Sequence, residues 1–221
     1  MTMWKNIYLW LDERIGFNGL YKNLLDRPEP KTTWWNTLGS ASLFLFVLQG
    51  LTGIFLTVYY TPSPDHAYDS IQYIMEGVAF GWLIRGIHHW GATLMVILVF
   101  VHMLRVFYTA SFKYPRELTW LIGIGLFLTT LGMGFTGYLL PWNQKAYWAT
   151  TVGTQIAGTV PFLGEFILKA LRGGPDLSAL TLQRFFSAHI WMIPAALAAL
   201  IGVHLFLIIK HGESHFPTKD D

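Results

Sequence analysis

The chain has 221 residues, of which 53% are hydrophobic and 13% charged, and its formal net charge at pH 7 is +2. Such a composition leaves too little polar surface for a soluble globular domain. The small positive charge gives no indication of nucleic-acid binding. The sequence contains no cysteine, which excludes disulfides and any cofactor attached through cysteine sulfur.

The first segment, residues 1–31, alternates apolar side chains such as Trp4, Ile7 and Leu11 with acidic Asp12 and Glu13. This pattern predicts an amphipathic helix that lies in a membrane interface. The segment lacks the basic start, apolar core and small-residue cleavage site of a signal peptide. We therefore expect it to remain part of the protein.

Four stretches without Asp, Glu, Lys or Arg are each long enough to cross a bilayer as a helix. They are residues 38–60, 86–104, 118–144 and 185–209. We place the corresponding transmembrane helices at 34–60 (A), 86–109 (B), 118–140 (C) and 184–210 (D). The prediction is an all-α membrane protein in which residues 1–221 form one domain built on a four-helix bundle.

The segment between helices C and D, residues 141–183, contains several prolines and glycines among apolar residues. It predicts short interfacial helices separated by turns. Four spans place both termini on one side of the membrane. Basic residues are sparser on the other side, where they are Arg85, Lys145, Lys169, Arg172 and Arg184. This asymmetry predicts cytoplasmic termini in a multi-pass membrane protein.

Four histidines form two pairs within the apolar helices, His88 and His102 in helix B and His189 and His204 in helix D. Fourteen residues of helix span about 21 Å and nearly four turns, so the first pair shares a face with one member near each membrane surface. Two such helices side by side create two bis-histidine sites. Opposed neutral imidazoles suit a low-spin haem iron, which predicts a dihaem protein.

A histidine in a membrane helix can instead be a packing residue or a proton carrier, but two long-range pairs favour haem. The fifteen-residue step in helix D overshoots the common face by about 60°. We expect a kink at Pro194 to restore the alignment. His89 points about 100° away from His88 and is not expected to be a ligand.

Two glycine pairs have the same fourteen-residue spacing, Gly39 and Gly53 in helix A and Gly123 and Gly137 in helix C. A missing side chain lets a macrocycle approach the backbone, so this register favours clearance for haem. The alternative is that the glycines serve helix packing alone.

Arginines near the helix ends are candidates to neutralise haem propionates, because their guanidinium groups suit carboxylates. The candidates are Arg85, Arg105, Arg116 and Arg184. For Arg116 a purely interfacial role is an equal alternative.

Specific motifs add to this pattern: Arg85-Gly-Ile-His-His-Trp, Pro-Arg-Glu-Leu-Thr-Trp at 115–120 and Gly-Tyr-Leu-Leu-Pro-Trp-Asn-Gln at 137–144. Together with both histidine spacings they resemble the N-terminal half of cytochrome b, nearest to the short b6 type. The resemblance covers nearly the whole chain.

The resemblance implies the b subunit of a bc-type quinol:cytochrome c oxidoreductase, which oxidises quinol on the positive side, reduces quinone on the negative side and translocates protons. It assigns His88 and His189 to a positive-side, low-potential haem, and His102 and His204 to a negative-side, high-potential haem. The quinol pocket would be lined by Gly137, Tyr138, Pro141, Trp142 and Asn143.

The family's Pro-Glu-Trp-Tyr motif is absent, so the resemblance implies a separate C-terminal cytochrome b subunit that carries it. Further implied partners are a Rieske iron–sulfur protein, a cytochrome c-type subunit and quinone, in a dimeric complex of a bacterial inner membrane. The cysteine that tethers an extra haem in b6 proteins corresponds to Thr37, and an arginine beyond their last ligand to Ile209, next to Lys210. We thus expect two non-covalent b-type haems.

Two other classes remain open from the residues alone. One is a dihaem membrane anchor of a formate dehydrogenase or hydrogenase, against which the 137–144 motif and the glycine pairs argue. The other is a helical scaffold or channel without redox chemistry.

Overall fold

A computed structural model describes residues 3–15 and 33–212, and this part of the chain is helical and contains no strand. Its α-helices are α1 (Met3–Ile15), α2 (Leu38–Tyr59), α3 (Ala67–Glu76), α4 (Gly81–Tyr108), α5 (Glu117–Leu139), α6 (Gln144–Gly158), α7 (Gly164–Arg172), α8 (Ala179–Ser187) and α9 (Ile193–His211). A 3₁₀ turn, Trp34–Thr37, leads into α2. Of the predicted interfacial segment 1–31, only the part in α1 lies within the described residues.

Four helical stretches are long and apolar enough to cross a membrane, which confirms the predicted fold class. They are Trp34–Tyr59, Gly81–Tyr108, Glu117–Leu139 and Ala179–His211. Helices B and D thus begin at Gly81 and Ala179 rather than at residues 86 and 184. Arg85 and Arg184 ended the apolar runs in the sequence, but a charged residue ends a membrane span without ending a helix.

The spanning helices pack as two pairs, α2 along α4 and α5 along α9, and α4 also contacts α5. Their outer surfaces carry large exposed apolar side chains, among them Phe44, Val58, Trp90 and Trp191. Exposed apolar surface of this extent is what a lipid environment requires. The histidine-bearing helices α4 and α9 belong to different pairs, so any group held between them joins the pairs.

The two ends of the bundle differ. We call the end with residues 60–80 and 140–178 the C–D end, and the end with residues 109–116 the B–C end. At the C–D end, α3 fills the connection between α2 and α4, where the sequence predicted no helix. Arg172 is buried there and donates hydrogen bonds to Thr154 Oγ1 at 2.8 Å and the Pro175 carbonyl at 2.9 Å. The bond to Thr154 ties α7 to α6, and the bond to Pro175 fixes the segment that follows α7.

The fourth span is not a regular α-helix, because Ala188–Met192 form a π-turn between α8 and α9. The amide of Ile193 donates to the carbonyl of Ala188, five residues earlier. A π-turn acts as a one-residue insertion in an α-helix. The fifteen residues from His189 to His204 therefore behave like fourteen, which brings the histidines to one face. The change of winding that the sequence placed at Pro194 lies in the π-turn just before this proline, whose missing N–H cannot complete an α-helical bond to Ile190.

Candidate cofactor-binding site

His88 on α4 and His189 in the π-turn face each other across the bundle near the C–D end. Their ring centroids are 6.3 Å apart and the ring planes are inclined by 78°. An imidazole nitrogen binds a metal at about 2.0–2.1 Å, and the ring centre lies roughly 1.1 Å further out, so two imidazoles on opposite faces of one metal have centres about 6.3 Å apart. The separation of these rings is therefore the one expected if His88 and His189 held a single metal ion between them.

Each of these imidazoles has a threonine hydroxyl on its outer nitrogen. His88 Nδ1 lies 2.9 Å from Thr52 Oγ1, and His189 Nδ1 lies 3.0 Å from Thr136 Oγ1. Both threonine side chains are buried. Because Nδ1 of each ring is hydrogen-bonded to a threonine of an adjacent helix, Nε2 is the nitrogen that the ring can offer to a metal.

The second pair, His102 and His204, lies toward the B–C end, and its members are half-buried. The Nδ1 atoms of both rings are buried, and within the described residues neither has a hydrogen-bond partner. The two histidine pairs therefore differ: a threonine hydroxyl contacts each Nδ1 atom of His88 and His189, whereas the Nδ1 atoms of His102 and His204 have no such contact.

The four predicted glycines each lie against one of the four histidines. A Cβ built on Gly39 would be 3.4 Å from His102 Cε1, and one on Gly53 would be 3.3 Å from His88 Cε1. On α5, the corresponding distances are 3.6 Å from Gly123 to His204 Cε1 and 2.7 Å from Gly137 to His189 Cε1. The nearest atoms over each glycine thus belong to an imidazole edge. The structure adds a role that the sequence reasoning missed: these glycines make room for the candidate ligands themselves.

The candidate arginines have different surroundings. Arg85 Nη1 donates to Met75 Sδ at 3.5 Å, near the C–D end. Arg116 donates to the carbonyls of Gly212 at 3.2 Å and His211 at 3.4 Å. Cationic side chains commonly bind the last carbonyls of a helix in this way. Arg116 therefore holds the end of α9, a structural role that the sequence left undecided.

Arg184 donates from Nη1 to the carbonyl of Ala170 on α7. Its side chain is exposed, so it fastens α8 to α7 at the surface. Arg105 lies one helical turn beyond His102 and its side chain is half-buried. That position keeps its guanidinium at the depth of the second histidine pair.

A cavity of about 420 Å³ opens at the C–D end between α3 and the start of α6. Pro141, Asn143 and Arg85 line it together with Tyr68, Ile71, Gln72, Met75 and Glu76. Trp142 lines an adjoining groove with Asn143. Tyr138, also predicted for the quinol pocket, is exposed and lines neither. The Asn143 side chain also caps α6, because it accepts a hydrogen bond from the Ala146 amide at 2.9 Å.

The contribution of α3 to this cavity was missed by the sequence reasoning. The signal was present, since Ile71, Ile74 and Met75 recur at helical spacing on one side of the segment. Because this segment is short and of mixed polarity, the sequence analysis interpreted it as a loop. The remaining described histidines take no part: His66 and His89 are exposed, and His211 lies at the end of α9.

The fold and the site define a class: a membrane-embedded four-helix bundle with two histidine pairs stacked between its helices. Comparison with known proteins identifies the family. Residues 24–212 match the family described as cytochrome b/b6/petB. The chain belongs to this family, whose members bind haem.

Relatives and a solved structure agree. A menaquinol:cytochrome c reductase cytochrome b subunit of Bacillus subtilis is 42% identical over 96% of this chain and 99% of its own length. Cytochrome b6 of Heliobacterium modesticaldum is 42% identical over 93% of this chain and 98% of its own length. A structure titled hyperthermophilic respiratory Complex III superposes with a TM-score of 0.84 at 33% identity, over 96% of this chain. The chain spans 58% of that longer chain. The protein is an integral membrane cytochrome b related to subunits of electron-transport complexes.

Proposed function

We propose that this chain is the dihaem subunit of a bc-type quinol:cytochrome c oxidoreductase. It would carry electrons from a quinol-oxidation site on the positive side to a quinone-reduction site on the negative side, coupled to proton translocation. The observation that carries the proposal is the 6.3 Å separation of the His88 and His189 rings, the distance at which the two imidazoles would hold one haem iron between them. The relatives named above support the same assignment.

The residues divide between two cofactor sites. His88 and His189 would hold one b-type haem near the C–D end, and His102 and His204 the second near the B–C end. When bound, the haems supply reversible one-electron transfer, which no side chain of this protein provides. The protein orients the imidazoles through the glycines beneath them, and Arg85 and Arg105 would offer positive charge to the propionates at the two depths.

The quinol would bind at the C–D end, where the cavity between α3 and α6 brings Arg85, Pro141 and Asn143 together. Such a cavity is large enough for a ring-sized ligand. Its apolar lining from Ile71 and Met75 suits a quinol ring, and Asn143 and Glu76 add polar groups. We assign this end to the positive side of the membrane because basic residues are sparser there.

The partners follow from this assignment. A separate cytochrome b subunit with a Pro-Glu-Trp-Tyr motif would complete the quinol site. A Rieske iron–sulfur protein would accept one of the two electrons of the quinol and pass it to a cytochrome c-type subunit, while the other electron enters this chain. The complex would be a dimer in a bacterial inner membrane. Copurification of the tagged chain from its native membrane tests these partners; a formate dehydrogenase or hydrogenase subunit in their place would contradict the proposal.

The haem assignment is tested by a reduced-minus-oxidised visible spectrum of the isolated protein and of the variant His102→Ala. The wild type should contain two b-type haems per chain. The variant should keep one, because His88 and His189 remain paired. A folded, inserted variant without any haem would show that the two sites do not form independently.

A second measurement tests how the haems are attached. Since the chain has no cysteine and Thr37 stands at the tether position of b6 proteins, acid–acetone should extract all haem. The denatured polypeptide should then give no haem stain on a gel. A stained band at the mass of this chain would contradict non-covalent binding.

A further inference from the structure

We propose that Thr52 and Thr136 are positioning residues that lower the reduction potential of the haem at the C–D end relative to the haem at the B–C end. This inference rests on the proposed function, because it takes the four histidines as iron ligands. It assigns a specific physical cause to a difference between two sites that are otherwise built from the same parts.

The first step concerns the direction of the hydrogen bonds. Thr52 Oγ1 donates its single hydrogen to the carbonyl of Leu48 at 2.7 Å, and Thr136 Oγ1 donates to Gly132 at 2.9 Å. Each hydroxyl therefore has only lone pairs left for the histidine. The 2.9 Å and 3.0 Å contacts must then be bonds donated by His88 Nδ1 and His189 Nδ1.

The second step follows for the imidazole tautomer. A ring that donates through Nδ1–H keeps its lone pair on Nε2, the nitrogen available to iron. Both threonines thus hold the ring in the ligating tautomer before any metal binds.

The third step is the contrast between the two ends of the bundle. Each threonine directly precedes the glycine under its histidine, in Thr52-Gly53 and Thr136-Gly137. The equivalent positions at the B–C end are Leu38 before Gly39 and Ile122 before Gly123, which have no hydroxyl. Correspondingly, the Nδ1 atoms of His102 and His204 lack a hydrogen-bond partner among the described residues.

The alternative is that each threonine hydroxyl only hydrogen-bonds to a carbonyl of its own helix, as buried threonines often do. That account explains the bonds to Leu48 and Gly132 but not the recurrence of the hydroxyl on two helices at one end of the bundle. An acceptor on Nδ1–H makes an imidazole a stronger electron donor. A more basic axial ligand favours the oxidised iron, so the haem of His88 and His189 should have the lower potential.

The experiment is an optical redox titration of the two b-type haems in the intact complex, in native membranes. The variant Thr52→Val with Thr136→Val keeps the side-chain shape and removes both acceptors. At a fixed ambient potential, the ratio of reduced to oxidised haem at the lower-potential site should rise about tenfold, which corresponds to about 59 mV for a one-electron couple. The second haem is the internal control and should not shift. Thr52→Ser with Thr136→Ser should restore the wild-type value.

The reciprocal variant Ile122→Thr adds a hydroxyl beside His204 and should lower the higher potential. This arm decides the question if the valine variant loses its haem. The inference would be overturned if the valine variant bound two haems with unchanged potentials. If the valine variant does not keep its haem, an unchanged higher potential in Ile122→Thr would overturn it. A wild-type protein without b-type haem would instead overturn the proposed function.

Discussion

At the scale of single residues, the glycines and histidines form matched couples rather than two separate patterns. Each glycine on α2 or α5 lies under the Cε1 edge of one histidine on α4, in the π-turn or on α9. The contact is closest at Gly137 and loosest at Gly123, with 2.7 Å and 3.6 Å between a built Cβ and the ring. The couples therefore differ in how much extra volume they can accept.

This difference predicts unequal effects of the same substitution. In Gly137→Ala the new methyl group would lie at a distance that real Cβ atoms do not show, so the His189 ring must move, at a cost of about 1–3 kcal/mol. We expect loss or a spectral change of the haem of His88 and His189. Gly123→Ala is the matched control, because its methyl group makes an ordinary contact. Difference spectra and haem-to-protein ratios check both; equal behaviour of the two variants would show that the imidazole edge imposes no limit.

The histidines, their pairing and the glycine register were readable from the sequence because both depend on simple helical periodicity. The threonines were not singled out, although they stand next to the glycines in Thr52-Gly53 and Thr136-Gly137. A hydroxyl in an apolar helix usually bonds to its own backbone, so its type alone does not indicate a cross-helix contact. The contacts of the two hydroxyls with Nδ1 in the structure show it.

At the scale of elements, the π-turn Ala188–Met192 determines where His204 points. An α-helix turns by about 100° per residue, so a fifteen-residue step cannot keep two ligands on one face without a change of winding. The sequence periodicity showed that His189 and His204 would not share a face of a regular helix, but it did not show which change of backbone winding aligns them. A proline kink and a π-turn both explain the spacing, and only backbone geometry separates them.

The π-turn account predicts that the position of a deletion decides its effect. Deleting Ile190 together with Pro194→Ala removes the extra residue and should leave a regular helix with both histidines on one face. Both haems should remain. The control deletes Leu200 and keeps Pro194, which shortens the chain equally but leaves the π-turn in place, so that His204 is rotated by about 100°. Visible spectra should show loss of the haem of His102 and His204 in the control alone; retention of both haems in the control would contradict the account.

At the scale of the whole molecule, two helix pairs, α2 with α4 and α5 with α9, present their histidines toward each other. The order of the spans puts residues 109–116 at one end and the helices α3, α6 and α7 at the other. The sequence predicted this alternation because apolar length and charge specify spans directly. It did not predict α3, because the helical spacing of its apolar residues extends over only ten residues of mixed polarity. The cavity that α3 forms with Pro141 and Asn143 therefore emerged only from the structure.

The assignment of the C–D end to the positive side can be tested in this protein without background labelling, because the sequence has no cysteine. Lys113 at the B–C end and Phe162 between α6 and α7 are both exposed. In vesicles whose outer face is the positive side, a membrane-impermeant maleimide should label Phe162→Cys and spare Lys113→Cys, because basic residues are retained on the cytoplasmic side. Inverted vesicles should reverse the pattern, and detergent should allow labelling of both. Labelling of the two sites from the same face would contradict the bundle topology, whereas a complete reversal would place the cavity and the His88–His189 pair on the cytoplasmic side.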